Sequence, residues 1–68
     1  MKVSKHTKDR MVERNITVQE VTTTLQYGRK MVNKWDSNKL TFVDYSLNCY
    51  VVVDKDLTTI ITVFRKEK

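Results

Sequence analysis

A histidine and two arginines stand at four-residue steps, His6, Arg10 and Arg14, in the stretch HTKDRMVERNIT near the amino terminus. On a helix of 3.6 residues per turn they fall within about 80° of one another, on a single flank. Such a set has the parts for phosphate chemistry. An arginine fork matches phosphate oxygens two at a time, and two forks one turn apart grip one phosphate or two neighbours. A histidine titrates near neutrality and moves a proton to or from a ribose hydroxyl. In RNA cleavage without a metal, the 2′-hydroxyl loses a proton, the phosphorane is stabilised and the 5′-oxygen gains a proton. Fixed cations against the phosphorane make the larger contribution. One histidine cannot be acid and base at once, so a partner is needed from elsewhere in the chain. Tyr45, Tyr50, Thr62, Arg65 and Lys66 are the candidates, and spacing does not choose among them. The same ladder also fits a solvated helix face, on which Asp9 and Glu13 alternate with the cations in ion pairs worth about a few tenths of a kcal/mol.

The charge distribution bears on the choice. The chain has 13 Lys and Arg against 8 Asp and Glu, a net of +5. Residues 1–34 hold 8 basic and 3 acidic side chains (8 − 3 = +5), whereas residues 35–68 hold 5 of each. All the excess positive charge sits in the half that contains the stripe. Clustered Lys and Arg displace condensed counterions from nucleic acid, so RNA or another polyanion is the expected partner. Net charge of either sign also serves solubility.

Other function classes are excluded by what 68 residues contain. A chain of this length buries only about 60% of its unfolded surface, which leaves room for one small core and a shallow site. The single cysteine, Cys49, permits no internal disulfide and reads as a small buried hydrophobe in the strand-like run NCYVVVD. One cysteine and one histidine cannot close a structural zinc site. No apolar run approaches the roughly 20 residues needed to span a bilayer. MKVSKHTKDR lacks the apolar segment of a signal peptide. A cytoplasmic protein with no cofactor and no membrane partner is the expectation.

The elements that must position the stripe are readable on either side of Gly28, the sole glycine. Upstream, the pattern predicts two short helices. Ser4 caps the first, Val3, Thr7 and Met11 form its core face, and Asn15 closes it in the left-handed conformation. The second opens on TVQE, a capping box from Thr17 to Glu20. Val18, Val21 and Leu25 follow as an apolar stripe, and Gly28 ends it as the residue after the cap. Thr22 to Thr24 are poor helix formers within it. Downstream, KMVNKW, KLTFVDY, CYVVVD and TTIITVF read as strands joined by short polar turns. The predicted fold class is α+β: two amino-terminal helices packed on a three- to four-stranded antiparallel β-meander, within a single domain over residues 1–68. Trp35, Phe42 and Phe64, with Val51 or Val52, are expected to supply most of the packing area.

HTKDRMVERNIT also resembles the amino-terminal motif of a family of small bacterial and mobile-element proteins, domain of unknown function 4258. That motif is a His, an Arg-Met pair after three residues, a second Arg after two more, then a turn residue and Ile-Ser or Ile-Thr. Here it falls on His6, Arg10, Met11, Arg14, Ile16 and Thr17. CYVVVDKDLTTIITVFR is similar to the family's final hairpin, and Thr62 matches a threonine of its last strand. Thr7 stands where Ala is common and Asn15 where Gly is common. The resemblance implies the barnase, EndoU, colicin and RelE-like fold. It also implies a metal-independent ribonuclease or a toxin-like relative, with His6, Arg10, Arg14 and Thr62 as site positions. The leading expectation is a small RNase of the RelE-like kind, with an antitoxin as the partner that would hold it in check. Two other functions fit the sequence: a phage or mobile-element module that occludes a host protein without catalysis, and a plain nucleic-acid binder. Tyr27, Trp35, Tyr45 and Tyr50 would serve stacking on bases in the last case.

Overall fold

The first helix is locked at both ends by local chemistry. The computed structural model describes residues 2–32 and 37–66. It begins with a two-residue strand, β1 (Lys2–Val3), followed by α1 (Lys5–Glu13). Ser4 accepts from the Thr7 amide at 3.1 Å as N-cap. Asn15 takes φ 59° and so turns the chain back. The Ile16 amide donates to Met11 O at 2.8 Å and the Asn15 amide to Val12 O at 3.3 Å, the paired bonds of a Schellman ending. That turn drops Ile16 into the core beside Met11.

The second helix, α2 (Val18–Tyr27), opens on the predicted capping box. The Glu20 amide donates to Thr17 Oγ1 at 3.1 Å, and Glu20 Oε1 accepts from the Thr17 amide at 3.2 Å. The threonines inside it return bonds to their own helix. Thr22 donates to Val18 O at 2.9 Å and Thr24 to Glu20 O at 2.8 Å; the second bond satisfies the hydroxyl of a fully buried residue. Val21 and Leu25 pack inward, but Val18 is 71% exposed and does not belong to the core stripe. It sits at the first helical position, where the turn from Thr17 carries it off the packed face. Gly28 is the C-cap itself, with an ordinary φ of −70°. Its role is space rather than handedness, since a Cβ there would lie 2.3 Å from Thr24 O and 2.9 Å from Val43 O.

Four further strands follow: β2 (Arg29–Val32), β3 (Lys39–Asp44), β4 (Cys49–Asp54) and β5 (Thr59–Phe64). They pair antiparallel in sequence, as the hairpin spacing predicts. The sheet is nevertheless five-stranded and mixed, in the order β1-β5-β4-β3-β2, because β1 pairs parallel with β5 through Lys2 with Thr59 and Val3 with Ile60. The expectation of a purely antiparallel meander of three or four strands is corrected accordingly. Two residues carry no periodicity, and only the return of the chain's last strand gives them a partner.

One irregularity decides which side chains face where. Between β4 and β5 the register runs Val52 with Thr62 but Val53 with Ile60, so Ile61 is an extra residue in a bulge. Ile60 and Val63, three apart, therefore both enter the core with Cys49, Val51 and Val53. Met11, Val21 and Leu25 pack on that face. The opposite face carries Val43, Tyr50, Val52, Thr62 and Phe64 by register. Of the predicted core residues, Phe42 packs inward and Val51 is fully buried. Phe64 instead lies on the opposite face, stacked on its cross-strand partner Tyr50 with ring centroids 5.0 Å apart. Trp35 falls outside the described residues.

Candidate phosphate-binding site

The site forms where α1 lies along β5, and a threonine strut sets that docking. Thr7 is fully buried, and its hydroxyl donates to Ile60 O at 3.0 Å. With that proton committed, the Ser4 hydroxyl 2.8 Å away donates to Thr7 in turn. The helix cap and the last strand are thus joined through one side chain. At the other end of the helix, Arg14 Nη1 donates to Val63 O at 3.1 Å. On β5, Thr62 lies between the two anchored carbonyls, and His6 Nε2 comes within 3.5 Å of its Oγ1, across 56 residues of sequence. That separation is long for a hydrogen bond, which leaves both groups able to take a third partner such as a phosphate oxygen.

His6 and Thr62 thus meet at β5, and Arg14 is anchored on the backbone of the next residue, Val63. Arg10 lies on the same helix flank but pairs with Glu13, Nη1 to Oε2 at 2.5 Å. Both partners are well exposed, 36% and 59%, so water screens the pair and little free energy holds Arg10 back from a competing anion. Each guanidinium has five N–H donors, and each spends one on the protein contact named here.

The candidates for a second proton carrier separate clearly. Arg65 is taken up by the fold: Nη1 donates to Leu47 O at 2.6 Å, and Nη2 to Asn15 O at 3.2 Å and to Glu20 Oε2 at 2.7 Å. That bond to Arg65 chiefly holds the Glu20 carboxyl below its ordinary range, against the opposing cost of burial. Tyr45 is 65% exposed, just past the end of β3. Tyr50 shares the face of Thr62 and is buried there between Phe64 and the Lys66 ammonium, which sits 5.2 Å from its ring centroid. The Tyr50–Phe64–Lys66 cluster was not singled out by sequence reasoning, although an aromatic two residues beyond Thr62 on the same strand is its signal. Elsewhere, Cys49 is buried, and burial pushes its thiol up, as suits an inert core residue. Among the described residues, no group of three His, Cys, Asp or Glu side chains could hold a metal ion.

Comparison with known proteins gives one family. The chain belongs to the domain of unknown function 4258 family (DUF4258), matched over residues 3–65, a span that includes His6, Arg10, Arg14 and Thr62. No curated protein and no solved structure matches it. Among the described residues no helix is long and apolar enough to cross a membrane.

Proposed function

We propose that the protein acts on RNA, gripping a phosphodiester at the seam between α1 and β5, as a toxin-like, metal-independent endoribonuclease. The observation that carries this reading is the 3.5 Å approach of His6 to Thr62, with Arg14 anchored one residue farther along the strand. In this reading His6 takes the proton of the 2′-hydroxyl and Thr62 orients it. Arg10 leaves its exposed pair with Glu13 to join Arg14 against the phosphorane. The 5′-oxygen receives its proton from Lys66 or Tyr50, the titratable groups at the exposed rim and the buried floor of the face that carries Thr62. The two helices followed by four strands paired antiparallel in sequence, after the two-residue β1, support kinship with the barnase, EndoU, colicin and RelE-like fold. The basic first half supports a polyanionic partner.

The test is incubation of purified protein with total RNA in EDTA, beside His6→Ala and Thr62→Val. Cleavage by the wild-type chain that falls at least about 100-fold in His6→Ala supports the reading, since general acid–base groups contribute on that scale. Salt-sensitive RNA binding without cleavage reduces the function to a nucleic-acid binder. Absence of both binding and cleavage overturns the reading.

A further inference from the structure

The opposite flank of α1 has a different character. Taking His6 as zero, Arg10 falls near 40°, while Lys8, Val12 and Lys5 fall at about 200°, 240° and 260°. Val12 is 83% exposed there, and across from it on α2 Val18 is 71% exposed. Between the two helices runs an open groove of about 830 Å³, floored by Met11, Val21, Leu25 and Ile60. Two large aliphatic side chains on opposite lips, over a floor continuous with the core, make an unpartnered apolar surface in a chain short of core.

Charge identifies its occupant. Lys8 lines the groove, and among the described residues no carboxylate does; Lys5 lies outside the lining at about 260°, with Asp9 beyond it at about 300°. The one acidic residue of α2, Glu20, is turned away and tied to Arg65. A second copy of this chain would bring lysines against lysines, with +5 on each molecule. We infer that the groove docks an amphipathic helix of another protein, one whose apolar stripe lies between Val12 and Val18 and whose flanks carry Asp or Glu against Lys5 and Lys8. This is helix-in-groove recognition, with aliphatic anchors supplying affinity and the rim charges selecting the partner. The surface lies about 200° around α1 from His6, so its occupancy is independent of the phosphate site.

Two synthetic helical peptides with the same leucine stripe test this, one flanked by glutamates and one by lysines, titrated by fluorescence anisotropy against the full chain. The glutamate peptide is expected to bind at least about tenfold tighter, an ordinary margin for charge-selected pairing. The double substitution Lys5→Glu with Lys8→Glu is expected to reverse the order. Val12→Asp, which removes an apolar anchor and adds a negative charge, is expected to weaken the glutamate peptide at least about tenfold. Because Val12 is exposed, that variant keeps the fold, which its circular dichroism checks. Equal binding of the two peptides, or no binding of either, overturns the assignment. So does self-association of the chain abolished by Val12→Asp, which would make a second copy the occupant. Loss of peptide binding in His6→Ala also overturns it, by moving the contact to the phosphate site.

Discussion

Arg65→Ala separates the structural cations from those offered to phosphate. The guanidinium ties three segments together: the Leu47 carbonyl before β4, the Asn15 carbonyl between the helices, and the Glu20 carboxylate of α2. A hydrogen bond to a charged group contributes about 1.5–3 kcal/mol when dry. The side chains here are 30% and 21% exposed, which brings the Glu20 contact toward about 1 kcal/mol. The two carbonyl bonds add about 1 kcal/mol each. Truncation is therefore expected to cost about 2–3 kcal/mol, from a total of about 3–10 for a chain of this length. Urea unfolding followed by circular dichroism measures it as a lower midpoint at unchanged slope. Arg65→Lys keeps the charge but loses the fork, and is expected to recover less than half. The pH dependence has a definite sign. Arg65 depresses the folded carboxyl of Glu20 below its ordinary value of 4.5. The stabilisation is thus complete above that value and is lost as pH falls through the folded one, where wild type and Glu20→Gln converge. At a temperature where Arg65→Ala remains folded, its action on RNA is expected to be unchanged. A midpoint shift worth less than about 0.5 kcal/mol would refute the clasp, being within the range of ordinary surface changes. Loss of RNA cleavage in the folded variant would return Arg65 to the list of proton carriers or phosphate ligands.

Three other outcomes follow from single features. Thr7→Val leaves Ile60 O and the Ser4 hydroxyl without their buried partner, so unfolding free energy is expected to fall by about 1–3 kcal/mol, with thermal melts as the readout. Leu57 holds φ 59° in the β4–β5 turn; Leu57→Gly removes a left-handed penalty of about 1–2 kcal/mol, partly offset by chain entropy, for a net gain of about 0.5–1 kcal/mol in the same assay. Cys49, buried and held protonated, is expected to react with a thiol reagent only as fast as the chain opens, and at the free-thiol rate in urea.

Features set by neighbouring residues were legible in the sequence. The Thr17–Glu20 box and the left-handed Asn15 depend on bonds within four or five residues, so type and spacing suffice to find them. Phe64 and Val52 were harder. Strict alternation along TTIITVF cannot place both Ile60 and Val63 inward, and only the bulge at Ile61 does so. The pairing of β1 with β5 and the bonds of Arg65 to Asn15 and Glu20 join residues about 45 to 57 apart, and no local pattern encodes such contacts. The site lies between these cases. Spacing placed His6, Arg10 and Arg14 on one flank, and family resemblance added Thr62. The 3.5 Å approach itself depends on the docking of α1 on β5 through Thr7 and Arg14, contacts that no local pattern encodes.

The contacts between α1 and β5 have a consequence for the order of folding. Ile60, Val63 and Thr62 lie 53, 49 and 56 residues downstream of the α1 side chains they meet, and the helix has no dock on β5 until they arrive. A growing chain therefore carries His6 with nothing opposite it until β5 has been made. Any product truncated before β5 lacks the pair altogether.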